Sequence, residues 1–298
     1  MNTSPPKIPA HSPGARLRAL MKDSDETILA PGAPNALTAR IAQDAGFSTV
    51  YASGAGIANW ALGVPDLGLA SMSDVVGEVA RICAAVDIPV IADADTGYGN
   101  ALNVFRCVRE FERAGVAAIQ LEDQVHPKRC GHFDGKSVID ASEMVAKIKA
   151  ATDARQDPDL VLIARTDARA VYDLETAIER AQLYREAGAD VIFLEAPRTV
   201  DELAEVAKAV DGPLVANIVE GGKTPAVSRA ELTKMGYALV LYANLGPRAA
   251  MMAMKKAFAH LKTHGDSEEI LNDIVTMPER NRLTGMDFWK GLEASYAG

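Results

Sequence analysis

The chain has 298 residues, of which 48% are hydrophobic and 24% are charged. This composition supports a large buried core and is not that of a disordered chain. The formal net charge is −9, and because no basic run offsets it, we expect no nucleic-acid partner. No segment approaches the roughly 20 apolar residues of a membrane span, so we also expect no membrane association and a cytoplasmic location.

Short apolar runs alternate with segments of helical period along the whole chain. The first 14 residues are predicted to be a disordered tail, followed by a helix at 15–22. We predict strands at 27–29, 49–52, 89–92, 118–121, 160–164, 191–194, 214–216 and 239–242. Between and after them we predict helices at 37–45, 75–85, 104–114, 144–151, 176–187, 200–209, 229–235 and 248–264.

The strands recur at intervals of roughly 30 residues, the size of one βα unit. This spacing predicts an α/β fold, a TIM-type (β/α)8 barrel that forms the catalytic domain over residues 15–265. A doubly wound open sheet would show a similar alternation, but the strand count and chain length favour the barrel. Residues 266–298 are predicted to form a C-terminal helical extension that packs on a neighbouring subunit.

Acidic side chains follow the third and fourth predicted strands, at the end of a barrel where active sites lie. Asp93 and Asp95 are two residues apart, so we expect both on one side of their strand, with Glu122 within reach on the next strand. Three carboxylates at one place repel one another unless a cation lies among them. Oxygen ligands favour Mg²⁺ or Mn²⁺ over Zn²⁺. The alternative is that two of these acids cap helices or pair with Arg165.

Two further charged residues end the next two strands. Arg165 beside a divalent cation is suited to bidentate binding of a substrate carboxylate. A structural salt bridge between Arg165 and Glu195 is the alternative, and the two roles are compatible.

The loop after the fourth strand has the sequence KRCGH at residues 128–132. Two cations and a histidine around Cys130 predict a lowered thiol pKa. Such a loop can deliver a proton donor when it closes over the site. A cysteine is otherwise most often a buried apolar residue, which is our interpretation of Cys83 and Cys107.

The sequences DADTGYG at 93–99 and KRCGH at 128–132 resemble the isocitrate lyase and phosphoenolpyruvate mutase superfamily, and the resemblance covers residues 16–264. The cysteine of the loop is typical of the carbon–carbon lyase branch, since the mutases and phosphonopyruvate hydrolases lack it. Within that branch the chain is similar to the 2,3-dimethylmalate lyase and 2-methylisocitrate lyase types. Gly221 and Asn244 stand where the methylisocitrate type carries other residues, which favours the dimethylmalate type.

The resemblance implies a Mg²⁺-dependent lyase that cleaves a 2-hydroxydicarboxylate to pyruvate and a carboxylic acid. Mg²⁺ is expected to bind Asp95 directly, and Asp93 and Glu122 directly or through water. The expected catalytic residues are Cys130 as general acid, Arg165 and His132 as charge-stabilising groups, and Tyr51 or Glu195 as base. The expected substrate-binding residues are Ser53, Gly54, Ala55, Asp66, Gly131, Asn217, Asn244 and Arg248.

The resemblance also implies a homotetramer in which a C-terminal helix is exchanged between two barrels. Three other functions remain open from the sequence. Oxaloacetate decarboxylase or hydrolase activity would need the metal site but no proton-donating cysteine in the loop. Mutase activity disagrees with that cysteine, and a non-catalytic scaffold disagrees with the complete set of candidate site residues.

Overall fold

The computed structural model describes residues 11–129, 131 and 135–297. The strands are β1 (Ile28–Pro31), β2 (Val50–Ala52), β3 (Val90–Asp93), β4 (Ala118–Glu122), β5 (Val161–Thr166), β6 (Val191–Leu194), β7 (Leu214–Asn217) and β8 (Leu239–Tyr242). The helices of the first half are α1 (Pro13–Asp23), α2 (Ala36–Asp44), α3 (Gly54–Ile57), α4 (Met72–Ala85), α5 (Ala101–Arg113) and α6 (Ala141–Ala154). Those of the second half are α7 (Ala168–Val171), α8 (Leu174–Glu186), α9 (Val200–Ala209), α10 (Arg229–Met235), α11 (Leu245–His264), α12 (Met277–Leu283) and α13 (Met286–Tyr296). A π-helical turn (Ala58–Leu62) follows α3, and a 3-10 helix (Glu268–Asp273) follows α11.

The strands form a nearly closed parallel barrel, which confirms the predicted fold. Within the described residues, eight strands pair in the order β1-β8-β7-β6-β5-β4-β3-β2. A parallel bridge between Gly32 and Tyr51 joins the two end strands β1 and β2. The doubly wound alternative is wrong, because such a sheet keeps two open edges, whereas the two end strands are joined here by the Gly32–Tyr51 bridge.

Helix α1 closes the amino-terminal end of the barrel. Ser12 begins it, since its hydroxyl accepts a hydrogen bond from the Ala15 amide at 3.2 Å, and Pro13 stands at its first turn. The fully buried Leu17 packs with the side chains inside the barrel. The Arg18 guanidinium donates to the Asp159 carbonyl at 2.9 Å, just before β5. The helix begins two residues earlier than predicted, and the tail before it lies mostly outside the described residues.

The C-terminal segment contains the 3-10 helix, α12 and α13, and large apolar side chains of this segment and of α11 are exposed. Arg282 of α12 pairs with Asp44 of α2 at 2.5 Å. The side chains of Met252, Phe258 and Trp289 are 53%, 67% and 59% exposed. Helix exchange between subunits stays a prediction.

No helix in the described part of the chain has the length and apolar character needed to span a bilayer.

Candidate active site

The carboxyl ends of the strands surround a small, partly open cavity. Its lining residues are Tyr51, Ser53, Ala55, Asp66, Asp93, Lys128, Gly131, Arg165, Glu195, Asn217, Val219, Ala243 and Asn244. Most of the predicted site residues thus come together at one place. Arg248 does not line the cavity: it is exposed, and its guanidinium donates to the Glu220 carbonyl at 2.7 Å. Cys130 and His132 lie outside the described residues.

Asp93 is held by backbone and side-chain donors at the end of β3. One carboxylate oxygen accepts from the Gly54 amide at 3.1 Å. The other accepts from the Asp95 amide at 3.1 Å and the Gln120 side chain at 3.4 Å. Ser53 places the Gly54 amide by capping α3, since its hydroxyl accepts from the Gly56 amide at 3.3 Å. Asp93 is therefore a rigid part of the wall of the cavity.

Asp95 reaches the same cluster by a different route from the predicted one. Strand β3 ends at Asp93, and Asp95 has a left-handed φ of 48° rather than an extended backbone. The expectation that both acids occupy one strand is therefore wrong, although their carboxylates still meet. A Cβ atom added to Gly54 would lie 2.9 Å from Asp95 Oδ1 and 3.1 Å from Asp93 Oδ2. Glycine at position 54 is what allows the two acids to approach α3.

Lys128 is a member of this cluster that the sequence did not predict. Its ammonium lies 2.5 Å from an Asp66 oxygen and 2.9 Å from Asp95 Oδ1, and the lysine side chain is only 5% exposed. The sequence predicts that the Lys128 ammonium lowers the pKa of the Cys130 thiol, whereas the nearest partners of this ammonium are Asp66 and Asp95. The signal available was the rule that a buried lysine needs carboxylate partners. Asp66 accordingly binds Lys128, and its predicted contact with substrate stays a prediction.

The acidic cluster fits a divalent cation in chemistry, although its ligand set is incomplete. Among the described residues, no three acidic, histidine or cysteine side chains form a complete set of metal ligands. However, Glu122 Oε1 is buried without a hydrogen-bond partner. Burial raises the pKa of Asp95 to about 6 despite the nearby Lys128, and burial also raises the pKa of Glu122 well above its ordinary value. Burial therefore disfavours the charged forms of both acids more than the nearby Lys128 and Arg165 favour them, and Mg²⁺ or Mn²⁺ would stabilise those charged forms.

Arg165 is oriented by Asp167 rather than by Glu195. Its Nε and Nη2 atoms donate to the two Asp167 oxygens at 2.9 and 3.0 Å, and its Nε atom lies 3.4 Å from Glu122. The guanidinium carbon lies 5.2 Å from the centre of the Phe193 ring. Such a fork fixes the plane of the guanidinium and leaves its other edge for a ligand. Asp167 is not among the site residues predicted from the sequence.

Gly131, the glycine of the KRCGH sequence, lies directly against Arg165. A Cβ atom added at Gly131 would lie 2.4 Å from Arg165 Nη2 and 2.5 Å from Glu195 Oε1. Asn217 lies beside them and donates to Glu195 at 3.4 Å, while its own Oδ1 atom is buried and has no hydrogen-bond partner among the described residues. These residues thus lie side by side in the lining of the cavity. Their contacts with substrate stay predictions.

Tyr51 lies inside the cavity and keeps its proton in this arrangement. Burial, followed by the negative charge of Asp93, raises the pKa of its hydroxyl well above the ordinary value. A base must lose its proton near neutral pH, so Tyr51 can be one only if added positive charge offsets Asp93. Its role and that of Glu195 stay predictions.

The chain matches the family model described as phosphoenolpyruvate phosphomutase over residues 17–262. It is 44% identical over 283 residues to 2,3-dimethylmalate lyase of Eubacterium barkeri, covering 95% of this chain and 98% of the relative. It is 45% identical over 286 residues to 2-methylisocitrate lyase of Aeropyrum pernix, covering 96% of this chain and 92% of the relative.

Solved structures extend the same likeness to the fold. A crystal structure of 2,3-dimethylmalate lyase, a member of the PEP mutase/isocitrate lyase superfamily, has a TM-score of 0.91 and 37% identity over 97% of both chains. Oxaloacetate acetylhydrolase with its product oxalate has a TM-score of 0.88 and 33% identity over 96% of this chain and 99% of its own. Phosphonopyruvate hydrolase with oxalate and Mg²⁺ has a TM-score of 0.87 and 34% identity over 97% of this chain and all of its own. The chain therefore belongs to the phosphoenolpyruvate mutase/isocitrate lyase superfamily and is a carbon–carbon lyase of that superfamily.

Proposed function

We propose that the chain is a Mg²⁺-dependent lyase that cleaves the C2–C3 bond of 2,3-dimethylmalate or a close 2-hydroxydicarboxylate, releasing pyruvate and a carboxylic acid. The observation that carries this proposal is the contact of Gly131, within KRCGH, with the oriented guanidinium of Arg165. It links the loop typical of the lyase branch to the group suited to a substrate carboxylate. The 44% identity to a 2,3-dimethylmalate lyase supports the substrate class.

Asp95 and Glu122 are the residues best suited to hold Mg²⁺, with Asp93 beside Asp95 at the cavity wall. Burial raises the pKa of Asp95 and of Glu122, and a divalent cation would offset it, whereas both oxygens of Asp93 already accept hydrogen bonds. Mg²⁺ held there supplies Lewis-acid stabilisation of negative charge on the substrate's 2-oxygen. The phosphonopyruvate hydrolase structure that contains Mg²⁺ supports this requirement.

The oxo-acid half of the substrate is proposed to lie between Arg165 and the start of α3. The Arg165 guanidinium faces the cavity and neutralises the carboxylate of that half as the C2–C3 bond breaks. Ser53 and Ala55 also line the cavity, and their backbone groups and the Ser53 hydroxyl are proposed to orient the same half. Tyr51 or Glu195 removes the proton of the 2-hydroxyl.

The departing half leaves as a carbanion stabilised by its carboxylate group. Asn217, Gly131 and His132 are proposed to bind its oxygens as they gain charge. The half-buried Asn217 side chain supports this, because it lines the cavity and its amide donates to Glu195. Cys130 then donates a proton to the carbon, a step that needs a closed and dry site.

The choice among hydroxydicarboxylates is proposed to depend on the ends of β7 and β8. Asn244 lines the cavity, and Gly221 has a left-handed φ of 77° and no atoms around its missing side chain. Neither residue offers a cation for a third carboxylate. This favours the six-carbon dimethylmalate over the larger 2-methylisocitrate.

Hydrolysis of oxaloacetate is the second candidate, supported by the likeness to oxaloacetate acetylhydrolase. The two functions are separated by incubating the protein with Mg²⁺ and either 2,3-dimethylmalate, 2-methylisocitrate, isocitrate or oxaloacetate, and measuring pyruvate, glyoxylate and oxalate. Pyruvate from a methylated acid, lost with EDTA and with Cys130→Ser, would support the lyase. Oxalate formed only from oxaloacetate, and unchanged by Cys130→Ser, would contradict it.

We also propose that the chain assembles as a homotetramer through α11 and the C-terminal extension. The exposure of the Met252, Phe258 and Trp289 side chains supports this, since exposed large apolar side chains are typical of interfaces.

A further inference from the structure

Lys136 is a buried lysine at the end of the loop that contains KRCGH. Its side chain is 1% exposed, and its ammonium lies 2.9 Å from Asp167 Oδ1. The same ammonium donates to the Gly131 carbonyl. Burying an ammonium is costly unless it is fully paired, and these two acceptors pair it. One side chain thus connects the loop backbone to an acid of the barrel.

Asp167 in turn holds the Arg165 guanidinium with both of its oxygens, at 2.9 and 3.0 Å. Its own position is fixed from behind by Asp123, which accepts from the Asp167 amide at 2.9 Å and from the Thr166 hydroxyl at 2.8 Å. Asp123 is itself fixed by the Tyr184 hydroxyl, which donates to it at 2.8 Å. Asp167 is therefore a rigid carboxylate shared by two cations.

The charges in this region show why the second cation matters. Asp167 is fully buried, and burial would raise its pKa, but Arg165 and Lys136 outweigh burial and lower it to about 2. Lys136 and Arg165 thus share the neutralisation of the Asp167 carboxylate. The remaining positive charge of Arg165 is then free to act on a ligand in the cavity.

We infer that Lys136 is a positioning residue of the active site, which joins the Gly131 peptide to the carboxylate that orients Arg165. It does not itself line the cavity, and it acts through its two neighbours. The inference rests on the proposed function in one respect, the assignment of Arg165 to the substrate carboxylate. It adds a residue to which neither the loop sequence nor the likeness to relatives gives a role.

Replacing Lys136 should disturb the site in two ways. The Gly131 carbonyl would lose its donor, so the peptide that packs on Arg165 would shift. Asp167 would lose one of its two cations and would bind the guanidinium more tightly. Because a displacement of about 1 Å can cost about 100-fold in rate, we expect Lys136→Met to lower kcat/KM by at least about 100-fold.

The test compares Lys136→Met with Lys149→Met, an exposed lysine of α6, in kcat/KM for the hydroxydicarboxylate that the wild type cleaves. It also measures rescue of Lys136→Ala by propylammonium, which replaces the missing side chain, against 1-propanol, which lacks the charge. We expect about a tenfold rise with propylammonium and none with 1-propanol. A merely structural lysine would not give this rescue. Equal rates for the two methionine variants, or no rescue by propylammonium, would overturn the inference.

Binding of oxalate in the presence of Mg²⁺ separates this inference from the proposed function. A wild type that binds oxalate but cleaves no hydroxydicarboxylate would refute the proposed function alone. In that case the inference still predicts at least about tenfold weaker calorimetric binding of oxalate by Lys136→Met than by Lys149→Met. Equal binding by the two variants would overturn it.

Discussion

Gly131 is the position where the smallest change should have the largest effect on activity. In Gly131→Ala the added methyl group would lie 2.4 Å from Arg165 Nη2 and 2.5 Å from Glu195 Oε1, whereas ordinary contacts begin at 3.4 Å. Either the guanidinium or the loop peptide must move by about 1 Å, a displacement that can cost about 100-fold in rate. A 100-fold loss corresponds to about 2.7 kcal/mol of transition-state stabilisation. We also expect about 1–3 kcal/mol of lost stability from overpacking.

The assay is kcat/KM at saturating Mg²⁺, with the melting temperature measured alongside. Gly77→Ala in α4 is the matched control, because the nearest atom to its added methyl group is the Arg81 side chain at 4.0 Å. It should leave kcat/KM unchanged and gain about 0.5–1 kcal/mol of stability, as a glycine in a helix interior is unfavourable. A Gly131→Ala enzyme within threefold of wild-type kcat/KM would refute the packing of this loop on Arg165.

Three further predictions address the arginine, the acidic cluster and the assembly. Arg165→Lys should lower kcat/KM by at least about 100-fold in steady-state kinetics, because an ammonium cannot make the two parallel bonds to Asp167; retained activity would contradict the orienting role. In EDTA, the pKa of Asp95 in the folded protein is about 6, against 3.8 for the free acid. The protonated carboxyl group therefore contributes stability below about pH 4, and this contribution is lost as pH rises through about 6. Denaturant unfolding measures the free energy of unfolding of Asp95→Asn relative to wild type. This relative stability should be up to about 3 kcal/mol higher at pH 7 than at pH 4; a value independent of pH would contradict this. Phe258→Asp should shift the sedimentation coefficient toward that of smaller species, and an unchanged coefficient would argue against assembly through α11.

The barrel could be predicted because its signal is local. Each strand is a short apolar run and each helix has its own period, so all eight strands are predicted, six of them with ends displaced by one or two residues. The turns that follow β2 were not predicted. Residues 54–62 form α3 and a π-helical turn, although this segment has the small and apolar composition of a loop. Its conformation depends on packing against Pro34 and the acids beside Gly54.

The candidate site could be predicted as a set of residues but not as a set of contacts. Asp93, Glu122 and Arg165 follow from their positions at strand ends, where the fold gathers polar groups. The pairing of Lys128 with Asp66 joins two loops 62 residues apart, and no sequence pattern specifies that distance. Asp167 stood beside Arg165 in the sequence, but its role depends on which acid the guanidinium meets in three dimensions.

The most direct test of the central claim is proton NMR of 2,3-dimethylmalate incubated with the protein and Mg²⁺ in D₂O. Cleavage of the C2–C3 bond predicts pyruvate and propanoate in equal amounts, with one deuterium at C2 of the propanoate from protonation of the departing carbanion. Neither product should form when EDTA is present from the start. An unchanged spectrum, together with oxalate and acetate from oxaloacetate, would contradict the proposed lyase and identify the chain as a hydrolase.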